Sequence, residues 1–174
     1  MFEIRGGKIW VFDLDDTLAD TSPRAHLNPR LQDNGDGWIP YSMACADDLP
    51  IAPTIALTTI ALIEGFQPWI ITGRTELAES LTRRWLRKHE VRYSTLLMRA
   101  EGDHRGNVEL KMDYLEMAEK IGYECQLWVD DYPKVIDAVS ARGIPTLLYK
   151  GQSSSQQGQA GSPSSVPSSS SSIS

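Results

Sequence analysis

From Gly151 to Ser174 the chain has no charged and no aromatic side chain, reading GQSSSQQGQAGSPSSVPSSSSSIS. Such a stretch cannot bury enough apolar surface to offset its ordering entropy, so residues 151–174 are expected to form a disordered Ser/Gln/Gly-rich tail. Cysteine is scarce: there are two, Cys45 and Cys125. They form neither a disulfide framework nor a metal-ligand spacing, and read as buried thiols. No apolar run is long enough to cross a bilayer, and the opening MFEIRGGKIWVF lacks the apolar block of a signal peptide. The expectation is a cytoplasmic protein with no membrane partner. An excess of positive charge is also missing. Lys and Arg total 17 against 23 Asp and Glu, a net charge of −6, all of it on residues 1–150 because the tail carries none. That excludes a general nucleic-acid binder, whose affinity comes mostly from neutralising phosphates, but leaves room for a local basic pocket around one phosphorylated end.

What remains, residues 1–150, suits one domain with a sizeable core. Five short apolar runs recur: KIWVFD (8–13), PWIIT (68–72), STLLM (94–98), QLWVD (126–130) and PTLLY (145–149). Most are apolar at successive positions, the pattern of strands buried on both faces in a parallel sheet. Helical patterns fall between them. Residues 53–64 start at Pro53 and stop at Gly65. Residues 75–89 set Leu77, Leu81, Trp85 and Leu86 on one face, with Arg83, Arg84, Arg87 and Lys88 towards water. Two more, 107–121 and 133–142, stop at Gly122 and Gly143. This alternation predicts a three-layer α/β/α domain with a mainly parallel sheet. Residues 21–50 lack periodicity and are rich in Pro and Gly, reading as an irregular or partly helical cap-like insertion over one sheet edge.

In open parallel sheets, ligands bind beyond the carboxyl ends of the strands. Here those ends carry Asp13, Thr72 with Gly73 and Arg74, Met98 with Arg99, and Asp130 with Asp131. In Asp13-Leu14-Asp15-Asp16-Thr17, two carboxylates two residues apart can serve one reaction: one attacks phosphorus in line, the other handles protons. A phosphate monoester would be repelled by both, so the site calls for a divalent cation, and magnesium suits an all-oxygen ligand set. Thr72 and the turn after it can hydrogen-bond phosphate oxygens. Each feature has a plainer reading beside it. Acidic pairs and Thr72 or Thr75 can cap turns and helices, and Lys111, inside NVELKMDYLEMA, can be a solvated helix charge. Asp130 and Asp131 can cap the helix near Pro133.

In order, strand context and spacing, these four motifs resemble those of the haloacid dehalogenase-like phosphatase superfamily, from Lys8 to about Lys150. The resemblance implies its Rossmann-like fold, Asp13 as nucleophile and Asp15 as general acid–base. It also implies Thr72 and Lys111 on the phosphoryl group, and a Mg2+ site from Asp13, the Asp15 backbone carbonyl and Asp130 or Asp131. The run Leu97-Met98-Arg99-Ala100-Glu101-Gly102-Asp103-His104-Arg105, Gly73-Arg74, and Arg24 resemble the polynucleotide 3′-phosphatase domain of phage polynucleotide kinase-phosphatase. That family uses arginines at the positions of Arg24 and Arg74, and an Asp where this chain has Asn107. Arg99, Arg105, Asn107 and Gly73 complete the implied substrate site. No GxxxxGK[ST] kinase loop occurs.

Three functions remain open on these residues: a 3′-phosphatase on nucleic-acid ends, the same chemistry on a nucleotide or other small molecule, and a non-enzymatic phosphate-binding module. No stable protein partner is predicted. Trp38 and Tyr41 fit base stacking or burial under the insertion, and the Arg83–Lys88 stripe a nucleic-acid track or a solvated helix face. His26, His89 and His104 are too scattered for a triad or metal site.

Overall fold

Residues 6–29 and 37–151 are described by a computed structural model; the expected tail from residue 152 and part of the insertion lie outside them. The strands are β1 (Lys8–Phe12), β2 (Ala19–Asp20), β3 (Leu49–Pro50), β4 (Gln67–Thr75), β5 (Thr95–Arg99), β6 (Glu124–Asp130) and β7 (Thr146–Leu148). The helices are α1 (Trp38–Met43), α2 (Ala52–Ile63), α3 (Glu79–Lys88), α4 (Asn107–Lys120) and α5 (Pro133–Ser140).

Five strands form one sheet in the order β5-β4-β1-β6-β7, every pairing parallel, while β2 and β3 make a separate antiparallel pair. Alternate residues of each strand point to opposite faces. Ile9, Val11, Trp69, Ile71 and Trp128 pack with Leu115 and Ala118 of α4 and Val135 and Val139 of α5. Phe12, Ile70 and Val129 pack on the other face with Trp85 and Leu86 of α3, and Ile55 and Leu57 of α2 adjoin them. The expected three layers follow from this split. The chain leaves β1 for β4 and β5 on one side and returns to β6 and β7 on the other, so the strand order reverses between β1 and β6. A crevice at such a reversal is where open α/β sheets bind ligands.

The described part of the insertion contains short helical segments. It carries 3-10 turns at Ser22–Leu27 and Cys45–Asp47 around α1, and β2 and β3 close its two ends. One helix departs from the sequence pattern. Strand β4 runs on to Thr75, a 3-10 turn covers Glu76–Ala78, and α3 begins only at Glu79. The later start changes which residues face the sheet. Ala78, Thr82, Trp85 and Leu86 are buried, whereas Leu77 is 42% exposed. Trp85→Ala is therefore expected to cost about 3–5 kcal/mol in denaturant unfolding. Leu77→Ala should stay within about 0.5 kcal/mol; equal losses would contradict this helix phase.

Candidate active site

Strand β1 ends one residue before Asp13, whose N–H donates to the Val129 carbonyl at 2.9 Å. That bond extends the β1–β6 ladder and aligns Asp13 with the end of β6. The chain then turns sharply. Leu14 and Leu18 are buried, and the N–H groups of Leu18 and Ala19 both donate to the Leu14 carbonyl at 2.9 Å. Asp16 sits within this turn at φ 60°. Asp tolerates that left-handed conformation when its side chain finds local donors. Here the Thr21 hydroxyl and N–H donate to Asp16 Oδ1 at 2.6 and 3.2 Å.

Lys111 projects from α4 into the crevice between β1 and β6. It is 2% exposed, and its Nζ donates to Asp13 Oδ1 at 2.8 Å and Asp130 Oδ2 at 2.7 Å. A buried ammonium needs such partners. Burial works against its charge, but Asp13 and Asp130 outweigh burial and raise its pKa. Asp130 is held further by the Trp128 indole N–H at 3.0 Å and the Tyr132 N–H at 3.0 Å.

Asp13, Asp130 and Asp131 each offer a carboxylate oxygen, all within 4.8 Å of one another. One ammonium does not balance three acids. Burial first, then the other two carboxylates, push the Asp13 carboxyl well above its usual range despite Lys111. Burial and Asp130 push Asp131 up to about 7. Three converging oxygens with a charge deficit fit a hard divalent cation, which would relieve this repulsion.

Asp15 occupies a different environment. Arg24 Nη2 donates to its Oδ1 at 2.6 Å, and Arg74 Nη2 donates to the same oxygen. Burial opposes ionisation, but Arg74 and Arg24 hold the carboxyl below its ordinary pKa. Two adjacent acids thus have opposite tendencies, the usual condition for dividing nucleophile and proton-transfer roles. Both arginines are almost fully buried and directed to carboxylates.

Thr72 is buried near the end of β4, and its hydroxyl accepts the Arg74 N–H at 3.2 Å, leaving its own O–H to donate elsewhere. Arg99 latches the neighbouring loops. It donates to Gly73 O at 3.0 Å, Arg105 O at 2.7 Å and Asn107 Oδ1 at 2.7 Å. A Cβ at position 73 would collide with the Asn107 side chain, so glycine permits this approach. Arg105 lies outermost, paired with Asp103 and Asp113. The structure therefore places Asp13, Lys111, Asp130 and Asp131 in one cluster, and Asp15, Arg24 and Arg74 in another. Thr72 and Gly73 lie on the β4 end, and Asn107, Arg99 and Arg105 at the loop side.

Sequence reading missed Asp48. It lies in the insertion, where no periodicity marks it, yet it is buried and binds the Arg24 guanidinium with both oxygens. Trp128 as a donor to Asp130 was equally hidden, since it reads simply as a strand residue. Tyr41 is buried beneath Arg24, 4.1 Å from guanidinium carbon to ring centre, while Trp38 is 46% exposed.

The family described as the polynucleotide kinase PNKP phosphatase domain matches residues 7–150. Two solved structures share the fold at a TM-score of 0.67. One, of the Pnkp1/Rnl/Hen1 complex, is 24% identical over 81% of this chain and 44% of its own. The other, of the Pnkp1/Rnl/Hen1 RNA repair complex, is 25% identical over 82% and 42%. The present chain thus spans less than half the length of those two. The class C acid phosphatase from Bacillus anthracis shares the fold alone, at TM-score 0.62 and 15% identity over 84% of this chain and 67% of that one. No curated protein sequence matches.

The acid cluster predicts a pH signature in cation-free protein. Asp13 and Asp131 both have raised folded pKa values, so their contribution is present at low pH and is lost as pH rises above the ordinary carboxylate range, for Asp131 through about 7. The Asp15 value is lowered, so its contribution is lost only below the ordinary carboxylate range. With chelator present, thermal unfolding should show greater stability at pH 5 than at pH 8. Added Mg2+ should raise the melting temperature more at pH 8 than at pH 5; the reverse order would contradict the assigned cluster.

Proposed function

This chain belongs to the family of polynucleotide kinase PNKP phosphatase domains and is a phosphatase, and on that ground we propose that it removes 3′-phosphate from nucleic-acid ends through an aspartyl-phosphate at Asp13. The observation that carries the chemistry is the pairing of Lys111 with Asp13 and Asp130, beside a separately held Asp15. Asp13, Asp130 and Asp131 would hold Mg2+, with the Asp15 backbone carbonyl as a further oxygen. When bound, the cation supplies positive charge that lets a phosphate dianion approach these acids.

Asp13 attacks phosphorus in line, and the bond to the ester oxygen breaks. Asp15 gives its proton to that oxygen, so the nucleic acid leaves as an alcohol. The approaching phosphate dianion raises the proton affinity of Asp15 for this step, opposing the two arginines. Asp15, now ionised, takes a proton from water as the water oxygen attacks phosphorus. Inorganic phosphate leaves and Asp13 is restored. Lys111 and the Thr72 hydroxyl stabilise the equatorial oxygens, where phosphoryl transfer needs most help. Gly73 contributes its backbone N–H, and Arg99, Arg105 and Asn107 shape the approach for the rest of the nucleic-acid strand.

The acidic charge of the domain supports a second reading, the same chemistry on a mononucleotide. Phosphate release with Mg2+ should be fastest from a 3′-phosphorylated oligonucleotide, slower from a mononucleotide and slowest from the 5′-phosphorylated oligonucleotide. Preference for the mononucleotide would establish the second reading. No release from any of them would leave only a phosphate-binding module. Asp13→Asn is expected to lower release at least ~10³-fold with the fold intact. A substantial residual rate would refute Asp13 as nucleophile.

A further inference from the structure

Asp15 does not hold its place alone. Arg24 and Arg74 both donate to its Oδ1, and each also reaches Asp48. Arg24 meets Asp48 as a fork, Nε to Oδ1 at 2.7 Å and Nη2 to Oδ2 at 2.8 Å; Arg74 Nη2 reaches Oδ2 at 3.1 Å. Two guanidinium groups converging on one carboxylate oxygen would repel each other in a dry site. Asp48 supplies the second negative charge that balances the pair. The side chain of Asp48 has no exposure, whereas that of Asp15 is 25% exposed. Asp48 therefore cannot touch a substrate, and Asp15 is the member of the quartet that can.

The supports around the quartet are directional. The Trp85 indole N–H donates to the Asp48 carbonyl at 2.8 Å, Arg24 Nη1 to the Tyr41 carbonyl at 2.9 Å, and Arg74 Nη1 to Thr82 Oγ1 at 3.1 Å. Trp85 and Thr82 belong to α3 and Tyr41 to α1 within the insertion, so the quartet joins the insertion to the sheet domain. We infer that Asp48 is the positioning residue of this active site: through Arg24 and Arg74 it fixes where Asp15 presents its carboxyl to the leaving oxygen. The inference rests on the proposed role of Asp15 as proton donor.

The leaving group supplies the test. A nucleic-acid alcohol must be protonated as it departs, while p-nitrophenolate departs without a proton. The ratio kcat/KM reports only on steps through loss of the leaving group, because that loss is irreversible. Asp48→Asn should lower kcat/KM for a 3′-phosphorylated oligonucleotide on the order of 100-fold, the scale of a misplaced general acid, and for p-nitrophenyl phosphate less than about threefold. Inhibition by the 3′-hydroxyl oligonucleotide should stay unchanged, showing that the strand still binds. A misfolded fraction would lower both substrates equally, so the ratio is independent of folded yield. Should Asp48→Asn yield no folded protein, Arg24→Lys keeps the charge, loses the fork and should change the ratio in the same direction. Equal losses on both substrates in a folded variant would overturn the inference. Wild-type protein inactive on both would instead sink the proposed function itself.

Discussion

Everything at the active edge depends on a buried ammonium shared by two strands. Lys111 reaches from α4 to Asp13, just past β1, and Asp130, at the end of β6, drawing together acids that would otherwise repel. The neighbouring β1–β6 ladder sets the spacing, and the Asp13 N–H bond to Val129 carries it one residue beyond β1. A single positive charge faces three carboxylates, and burial together with the neighbouring acids raises the pKa of Asp13 and Asp131. That deficit would make the site receptive to a divalent cation. Stability and receptivity are therefore in tension at the same few atoms.

Electrostatics divides the edge into two compartments. On the β6 side acids outnumber cations, and the local demand is for positive charge. On the insertion side two arginines face two acids, Asp15 and Asp48, and the charges balance. Asp13 and Asp15 are two residues apart, yet the turn through Asp16 sends them into these separate environments. A nucleophile and a proton carrier would need different environments, and this turn gives Asp13 and Asp15 such a difference within two residues.

The insertion contributes buried charge to the sheet edge. Arg24 and Asp48 both belong to it, and both are buried against residues of the sheet domain. Its aromatic Tyr41 lies under the Arg24 guanidinium, a placement that suits a cation leaving water. Arg99 plays the corresponding part on the other flank, tying Gly73 of β4 to Asn107 at the start of α4. An asparagine suits this site because it accepts that guanidinium N–H without adding charge.

The sequence alone determined the strands and the acids at their ends. Buried parallel strands need unbroken apolar runs, and a carboxylate directly after such a run is fixed at the sheet edge by covalent spacing. Helices α2, α4 and α5 were legible from their stop signals, but α3 was misjudged because continued β4 pairing overrode its apparent first turn. Only the tertiary structure decided which charges meet. Lys111 and Asp13 are 98 residues apart, and Arg24 and Asp48 are 24 apart within a segment with no periodic pattern. Ion-pair partners are selected by burial and three-dimensional approach, and neither leaves a local period in the chain.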